Sequence, residues 1–197
     1  VSRLRRWHEE ALTRRHDRAG FDCGVAALND YLQRYARQNH ESGGAKTFVA
    51  VAVDSPSTVL GYYTISPGAL DFSDVPEAAR RGLGRYEVPV FRLGRLAVSV
   101  SEQGRGLGGE LLLAAGERAL AVAEAVGGVA LAIDAKDEGA ARWYERFGAL
   151  VRKETDRGFD HGSPRVGLAS PEQLAKAEAI LGEFGDTHME RTLPEAP

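Results

Sequence analysis

The hydrophobic and polar positions in the first third of the chain predict one helix followed by a β-hairpin. From Asp22, the expected N-cap, to the Gly43-Gly44 pair, apolar residues recur at the three- and four-residue spacing of a helix. Residues 47–53 and 58–66 are rich in β-branched and aromatic residues, which is typical of strands. The stretch between them, residues 54–57, is polar, contains a proline and predicts the hairpin turn.

The middle of the chain alternates between strand and helix patterns, which indicates a domain of the α/β class. The predicted elements are a strand over 89–99, a helix from Leu107 to Val126 ended by Gly127-Gly128, a buried strand over 129–134, a helix from Glu138 to Phe147 with Asp137 as its N-cap, and weak strands over 149–153 and 164–168. A polar connection with a short helix, over 71–86, precedes them.

The C-terminal stretch has the pattern of an added helix with an acidic tail. Residues 170–173 combine a serine N-cap, a proline at the first helical position and a capping-box glutamine. Four apolar residues then share one face of the predicted helix: Leu174, Ala177, Leu181 and Phe184. Residues 170–197 hold two basic residues against six acidic ones. We therefore expect one domain over residues 1–169 and a separate helix with an acidic tail over 170–197.

Composition excludes several classes of protein. A chain of 197 residues with 43% hydrophobic residues suits one globular domain with a sizeable core. Its single cysteine, Cys23, excludes an internal disulfide and a cysteine-based metal cluster, and we expect no metal. No apolar run reaches the length that crosses a bilayer, and the arginine-rich first twenty residues lack a signal-peptide core. These features predict a soluble cytoplasmic protein that binds no membrane.

A glycine-rich stretch, QGRGLGGELLL over residues 103–113, raises the question of which phosphate this domain binds. Gly104, Gly106 and Gly109 have the G-x-G-x-x-G spacing of a dinucleotide-binding turn, and Asp134 stands where a ribose-binding acid would lie. A dinucleotide fold begins with its glycines and repeats the βαβ unit, whereas here a helix and a hairpin come first. The order of elements therefore excludes that fold, and the missing G-K-[S/T] excludes a Walker loop.

The same stretch still has the properties of an anion site. Glycines let backbone N–H groups approach an anion closely, and the helix that begins near Leu107 adds the partial positive charge of its N-terminus. Arg105 adds a cation at the rim. A pyrophosphate group is the expected guest, and the alternative is a glycine-rich connection that only packs tightly.

Two segments resemble the GNAT superfamily of N-acetyltransferases. LAVSVSEQGRGLGGELL, residues 96–112, resembles its acetyl-CoA-binding segment, in which Gln103, Gly106 and Gly108 occupy the defined places of the signature [Q/R]-x-x-G-x-[G/A]. DAKDEGAARWYERFGA, residues 134–149, resembles the later segment, a helix with an aromatic pair before a glycine. The resemblance implies a central mixed, twisted sheet of about six to seven strands flanked by helices, with acetyl-CoA as co-substrate.

Further segments resemble a subgroup of that superfamily, the acetyltransferase toxins of toxin–antitoxin pairs, which acetylate the amino group of aminoacyl-tRNA. They are LTRRHDRAGFDCGVAALNDYL, residues 12–32, with its FDCG, and YEVPVFRLGRLAV, residues 86–98, with its GRLAV. The likeness then extends from about residue 12 to residue 168. It implies aminoacyl-tRNA as a substrate, a ribbon–helix–helix antitoxin as a partner, and a homodimer.

The resemblance also implies where acetyl-CoA binds. Backbone groups of Leu96, Ala97 and Val98 would pair with pantetheine like an added strand, and the Val98 N–H would polarise the thioester carbonyl. The residues expected to hold the pyrophosphate are Gln103, Gly104, Arg105, Gly106, Leu107, Gly108 and Gly109. Asp137 would either contact the cofactor or only cap its helix.

Tyr144 is the residue expected to act as the catalytic acid. It matches the family's proton donor, and an unperturbed phenol with a pKa of ~10 stays protonated at neutral pH. The alternative is that Tyr144 only packs beside Trp143. Arg92 and Arg95 are the expected substrate-binding residues.

No carboxylate or histidine in the sequence stands out as the base that would deprotonate the acceptor amine. An α-amino group has a pKa of ~7.7–8.0, so a useful fraction is neutral near pH 7, whereas a lysine at ~10.4 needs help. The missing base therefore favours an α-amine as acceptor, with His40 and Glu41 as the remaining candidate bases.

Three functions stay open at the level of the sequence: a toxin that acetylates aminoacyl-tRNA, a GNAT enzyme that acts on a small amine, peptide or protein, and an inactive GNAT fold that serves as a binding module. The intact glycine-rich stretch and Tyr144 argue against the third. The acidic C-terminal residues and the net charge of −3 favour the second. For the first, the arginines available to meet phosphates are Arg3, Arg5, Arg6, Arg14, Arg15, Arg18, Arg34, Arg37, Arg92 and Arg95.

Overall fold

The computed structural model describes residues 6–77, 80–151, 165–168 and 179. Its strands are β1 (Trp7–Ala11), β2 (Lys46–Ala52), β3 (Ser55–Leu70), β4 (Val88–Val98), β5 (Leu131–Asp134), β6 (Leu150–Val151) and β7 (Arg165–Leu168). Its α-helices are α1 (Ala26–Asp30), α2 (Ala36–Ser42), α3 (Leu107–Val126) and α4 (Glu138–Arg146), and a π-helical turn, Tyr31–Tyr35, joins α1 to α2. Short 3₁₀ turns cover Phe72–Asp74 and Val100–Glu102.

The strands form a mixed sheet in the order β1-β2-β3-β4-β5-β7-β6. β1 pairs antiparallel with β2, and β2 pairs antiparallel with β3. β5 pairs parallel with β4 and antiparallel with β7, which itself pairs antiparallel with β6. The parallel pairing of β4 with β5 beside antiparallel pairings gives the mixed sheet that the resemblance implies, so that prediction is confirmed.

The chain divides into two compact units. The first comprises the described residues up to Ile65 together with Arg95–Leu112, and the second comprises Ser66–Gly94 and the described residues from Leu113 onward. Within the described residues, no helix combines the length and the apolar character needed to span a membrane.

The core of the first unit is built around Tyr62. Its ring meets Phe21 edge-on at 5.5 Å and stacks with Tyr31 at 6.3 Å between ring centroids. The Tyr62 hydroxyl donates to the Leu28 carbonyl at 2.8 Å, so the polar end of this buried side chain is satisfied. Cys23 belongs to the same buried cluster. Apolar residues of the first helical segment therefore pack against β3.

The core of the second unit lies around β4 and β5. Its buried residues are Val75, Val88, Val90 and Ala132. Gly128, just after α3, has a φ of +127°, and a Cβ there would lie 2.7 Å from the Phe91 ring. The Gly127-Gly128 pair thus ends α3 where the sequence predicts, because the chain must turn close to an aromatic ring.

The predicted N-cap of the first helix, Asp22, is wrong. α1 begins at Ala26, and its N-cap, Val25, makes no capping side-chain hydrogen bond. The Asp22 carboxylate instead accepts from the Gly24 N–H at 2.8 Å and from the Asn29 amide at 2.7 Å, and these two bonds lower the pKa of Asp22. A local turn and a helix cap compete for the same carboxylate, and here the turn takes it.

The hairpin between β2 and β3 is tighter than the sequence predicts. β2 ends at Ala52 and β3 begins at Ser55, so the turn is Val53-Asp54 rather than residues 54–57. The register shifts between Ala50 and Ala52 mark a bulge, which adds twist and lets the strands run up to a two-residue turn.

β1 lies in a stretch to which the sequence pattern assigns no element. Its central residues, His8, Glu9 and Glu10, are all polar and half-buried. Glu9 accepts from the Tyr63 hydroxyl at 3.3 Å, and Glu10 accepts from His8 at 2.6 Å. Because polar groups on both faces pair with other side chains, the strand shows no alternation of apolar and polar residues to detect.

The unfolding free energy should fall in mild acid through His16, which is buried beside Glu10. The Thr13 N–H donates to His16 Nδ1 at 3.0 Å, so Nε2 carries the proton and donates to Glu10 at 3.1 Å. Burial, with Arg15 and His8 nearby, lowers the pKa of His16. The unfolded chain therefore binds the second imidazole proton, which would go to Nδ1, at a higher pH than the folded chain does. The stabilisation is complete above the ordinary pKa of 6.5 and is lost as the pH falls below it.

Urea titrations at about pH 7.5 and about pH 5.5 measure this effect. Wild-type protein should lose more unfolding free energy between the two pH values than His16→Gln, which has no proton to bind. Equal losses in the two proteins would contradict a depressed pKa at His16.

Several predictions fall outside the described residues. They concern the C-terminal helix and acidic tail over 170–197, the domain boundary after residue 169, the strand ends at 152–153 and 164, and Arg3 and Arg5. These stay predictions. The predictions of the helix from Leu107 to Val126 and of strands near 150 and 166 are confirmed.

Candidate functional site

The glycine-rich stretch forms a row of free backbone donors at the start of α3. Gly104 and Gly106 have φ angles of +75° and +95°, a conformation that other residues rarely adopt. The five backbone N–H groups from Gly104 to Gly108 have no hydrogen-bond acceptor among the described residues. The N-terminal partial charge of α3, a helix of 20 residues, adds to these donors. This arrangement can hold a pyrophosphate group.

Gln103 anchors the beginning of this row. Its side-chain Nε2 donates to the carbonyls of Val98 and Cys23, each at 3.0 Å. Its backbone N–H donates to the Ser99 carbonyl at 3.1 Å. The residue at the first place of the signature is therefore fixed to the end of β4 and to the segment before α1.

Arg105 shares its charge with a buried acid that the sequence analysis did not single out. The Glu102 side chain is only 2% exposed, and its carboxylate accepts from the Arg105 guanidinium at 3.3 Å. Removing a carboxylate from water is costly unless a cation compensates it. The sequence predicts Arg105 as a cation at the rim of the anion site. In the structure, part of the Arg105 charge balances Glu102 instead.

β4 carries the residues expected to pair with pantetheine. Its ladder with β5 covers Phe91–Leu93, and Leu96, Ala97 and Val98 lie beyond these paired residues. The Ala97 backbone packs closely against Gly61 of β3. A Cβ on Gly61 would lie 2.9 Å from the Ala97 carbonyl oxygen and 2.8 Å from Leu111. Only glycine at position 61 allows this approach.

The two arginines of β4 differ in their surroundings. Arg92 donates to the Asp134 carboxylate at 3.0 Å and to the Ala69 carbonyl at 3.1 Å. The Arg95 guanidinium lies over the Tyr31 ring, with its carbon 3.6 Å from the ring centroid, and has no hydrogen-bond acceptor among the described residues. The Arg95 donors are therefore unoccupied within the described part of the chain, whereas Arg92 uses two of its own within the protein.

Tyr144 lies on α4, the helix that Asp137 caps. The Asp137 carboxylate accepts from the Ala140 N–H at 2.7 Å, so its predicted capping role is confirmed. The Trp143 ring meets the Tyr144 ring edge-on at 5.0 Å. Burial raises the pKa of the Tyr144 phenol to about 12, so this group is protonated at neutral pH and can act as an acid.

The two candidate bases both have partners within the protein. His40 Nδ1 accepts from the Thr47 N–H at 3.0 Å, and burial lowers the pKa of His40. Glu41 accepts from Arg37 at 3.0 Å. Neither side chain is held ready for an amine, which agrees with an acceptor that needs no strong base.

The sequence matches the acetyltransferase (GNAT) family over residues 2–149. The chain belongs to this family. A tRNA-acetylating toxin of Mycobacterium tuberculosis is 37% identical to this acetyltransferase over 131 residues, which are 66% of this chain and 76% of the toxin. The probable toxin TacT of Sinorhizobium fredii is 26% identical over 121 residues, which are 61% of this chain and 66% of that protein.

Two solved structures resemble the acetyltransferase over most of its length. AtaT complexed with acetyl-methionyl-tRNAfMet is 25% identical, with a TM-score of 0.73, and the match covers 83% of this chain and 94% of AtaT. A tyrosine-to-phenylalanine mutant of KacT is also 25% identical, with a TM-score of 0.74, and the match covers 89% of this chain and 99% of KacT.

The predicted site residues of the acetyltransferase fall in both compact units. Arg95, Val98, Gln103 and the five free N–H groups belong to the first unit, in which Gln103 joins Val98 to the glycine-rich stretch. Arg92, Asp137 and Tyr144 belong to the second. The sequence analysis missed the hydrogen bond from the Gln103 side chain to the Cys23 carbonyl in FDCG, residues 21–24. The resemblance of FDCG to the toxin subgroup was the signal that pointed to these residues.

Proposed function

We propose that this acetyltransferase moves the acetyl group of acetyl-CoA to the α-amino group of aminoacyl-tRNA, as the toxin of a toxin–antitoxin pair. The 37% identity with the tRNA-acetylating toxin of M. tuberculosis carries the choice of substrate. The likeness to AtaT, whose solved complex contains acetyl-methionyl-tRNAfMet, supports the same choice.

The donor side of the reaction is built from the first unit. The free N–H groups from Gly104 to Gly108 bind the pyrophosphate of acetyl-CoA, with α3 adding its partial positive charge. The backbone of Leu96, Ala97 and Val98 pairs with pantetheine, and the Val98 N–H polarises the thioester carbonyl. Gln103 keeps this strand end and the glycine-rich stretch in place. No described residues group as ligands for a metal ion, and the proposed chemistry uses none.

The chemical step is a direct transfer. The neutral α-amine forms the new C–N bond at the thioester carbonyl carbon, and the C–S bond breaks. The departing thiolate takes the phenol proton of Tyr144, and the proton released by the amine returns through solvent to the Tyr144 phenolate. Because its pKa is about 12, the Tyr144 phenol is protonated at neutral pH and donates as negative charge develops on the sulfur.

The acceptor side requires a cation for tRNA. Among the predicted arginines that the structure describes, we assign this role to Arg95, because it shares with Arg6 and Arg14 the lack of an acceptor and also lies over the Tyr31 ring. Arg15 pairs with Glu10, Arg18 donates to the carbonyls of Leu32 and Gln33, Arg34 and Arg37 pair with Asp30 and Glu41, and Arg92 pairs with Asp134. Arg95 is held in place by an aromatic ring, and its donors remain free among the described residues. It therefore contacts a phosphate near the acceptor end of the tRNA.

Replacing Arg95 by alanine should weaken tRNA binding and make it less dependent on salt. One lost phosphate contact reduces the slope of log K against log salt by about one. Fluorescence anisotropy of labelled tRNA at several salt concentrations measures this slope. Arg142→Ala is the control, since Arg142 is an exposed arginine of α4 paired with Glu138. Equal slopes for wild type and Arg95→Ala would contradict a phosphate contact at Arg95.

The setting of this reaction follows from the same proposal. The enzyme acts in the cytoplasm, where charged tRNA is found, as a homodimer that a ribbon–helix–helix antitoxin neutralises. The toxin names of the two curated relatives support the pairing with an antitoxin.

A second candidate function is acetylation of a small amine, peptide or protein without toxicity. The excess of acidic residues in 170–197 favours it, because acidic side chains repel tRNA. A reconstituted translation reaction separates the two functions. The protein should stop translation only when acetyl-CoA is added, and continued translation with acetyl-CoA present would favour the second function.

A further inference from the structure

We infer that Asn29 is a positioning residue for acetyl-CoA binding, acting through the FDCG segment, residues 21–24. Asn29 holds Asp22 and Cys23. The carbonyls of those two residues bind Val100, the first residue of the 3₁₀ turn, and Gln103, which follows the turn and begins the glycine-rich stretch. The inference rests on the proposed acetyl-CoA-dependent function and adds to it a residue one turn into α1.

Both ends of the Asn29 amide are engaged with the segment before its own helix. Its Oδ1 accepts from the Cys23 N–H at 2.9 Å and from the Cys23 thiol at 3.0 Å. Its Nδ2 donates to the Asp22 carboxylate at 2.7 Å. A backbone N–H can only donate and a carboxylate can only accept, so these partners fix which end of the amide points where.

The carbonyls of the same two residues are bound by the segment that precedes the glycine-rich stretch. The Asp22 carbonyl accepts from the Val100 N–H at 2.9 Å, and the Cys23 carbonyl accepts from Gln103 Nε2 at 3.0 Å. Asn29 therefore holds the side-chain and N–H groups of a dipeptide whose carbonyls hold Val100 and Gln103. All these residues lie in the first compact unit.

The last link connects this dipeptide to the acetyl-CoA site. The second N–H of the Gln103 amide donates to the Val98 carbonyl, so one side chain joins β4, Cys23 and the first place of the signature. Directly after Gln103 come Gly104 and Gly106, both at positive φ. Glycines lose more conformational freedom on ordering than other residues, so a row of N–H groups built on them needs an outside constraint. The contacts from Asn29 to Gln103 supply it.

The same contacts give Cys23 a role other than chemistry. Its side chain is only 6% exposed, and its thiol, a weak donor, faces the Asn29 amide oxygen. Asp22 also holds the segment in place, because its carboxylate accepts from both the Asn29 amide and the Gly24 N–H. The polar and small residues of the FDCG segment are thus explained by their contacts with Asn29 and with the signature.

Calorimetric titration of acetyl-CoA into the full chain tests the inference. Asn29→Ala should raise the Kd for acetyl-CoA by about tenfold, which corresponds to ~1.4 kcal/mol. The KM for acetyl-CoA should rise in parallel, while kcat at saturating acetyl-CoA changes much less, because no group that touches the reacting atoms is lost. Asn29→Asp, which keeps an oxygen at the position that accepts from the Cys23 N–H, carries the test if Asn29→Ala does not fold.

A rescue variant separates positioning from general loosening. Asn29→Asp places a second carboxylate against Asp22 and should weaken acetyl-CoA binding, and adding Asp22→Asn to the same chain should restore part of the affinity. Gln33→Ala is the matched control, since the Gln33 amide also ties this helical region to the segment before it, through the Phe21 carbonyl at 3.2 Å, but does not reach Asp22 or Cys23. Its Kd should equal that of wild type.

Three results would count against the inference or its basis. A wild-type Kd in Asn29→Ala, with only the melting temperature lowered, would make Asn29 a purely structural residue. An equal loss of affinity in Gln33→Ala would show that any loosening of this region has the same effect. Failure of the wild-type protein itself to bind acetyl-CoA would overturn the proposed function instead, and so the two failures are distinguishable.

Discussion

Replacing Tyr144 by phenylalanine should lower the turnover of acetyl transfer by about 10²–10⁴-fold, the usual effect of losing one positioned acid. The substitution keeps the ring and its edge-on contact with Trp143 and deletes only the hydroxyl. The Kd for acetyl-CoA should therefore change little. Steady-state kinetics with saturating acetyl-CoA measures the turnover, and calorimetry measures the Kd.

The control for this substitution is a tyrosine outside the predicted site. Tyr86 is 75% exposed, and Tyr86→Phe should leave both turnover and affinity at the wild-type level. Wild-type turnover in Tyr144→Phe would mean that Tyr144 only packs beside Trp143, and the proton for the leaving thiolate would then have to come from another group.

Replacing Gly106 by glutamate should abolish detectable binding of acetyl-CoA. Gly106 has a φ of +95° and open space around the position of a Cβ, so the new carboxylate would stand among the free N–H groups and compete with the pyrophosphate. Calorimetric titration of acetyl-CoA measures the loss directly.

Part of that effect comes from strain, which a second glycine measures separately. Gly82 also has a positive φ, +82°, and open space around a Cβ, but lies outside the glycine-rich stretch. Gly82→Glu should therefore show a similar backbone cost of ~1–2 kcal/mol while keeping wild-type affinity for acetyl-CoA. If Gly106→Glu bound acetyl-CoA as well as Gly82→Glu does, the free N–H groups would not be the pyrophosphate site.

The elements with one dominant local signal are the ones that the sequence predicts well. α3 begins at Leu107 and ends before a glycine pair, and α4 is capped by Asp137, as the pattern indicates. β1 was missed because its half-buried polar residues are paired with other side chains, Glu9 with Tyr63 and Glu10 with His8, so the strand lacks the alternation of apolar and polar residues that marks a strand. Asp22 was misassigned because its carboxylate accepts from the Gly24 N–H and the Asn29 amide in a turn instead of capping the helix.

In the candidate site, too, the sequence predicts what depends on local residues and misses what depends on distant contacts. The signature identifies Gln103 and the glycines, since their chemistry depends on backbone geometry that only certain residues allow. The sequence does not distinguish Arg92 from Arg95, because the partners that engage one and spare the other come from distant segments. The bond from Gln103 to the Cys23 carbonyl joins positions 80 residues apart, and spacing along the chain does not reveal it.

The most direct test of the central claim is transfer of labelled acetyl groups by the purified protein. Labelled acetyl-CoA is offered together with charged tRNA, deacylated tRNA, free polyamines and peptides, and each pool is then separated. Our account predicts label on charged tRNA alone, and this label is released together with the amino acid when the ester is hydrolysed. Tyr144→Phe should transfer label at a rate lower by about 10²–10⁴-fold. Label on polyamines or peptides, with none on either tRNA pool, would contradict it.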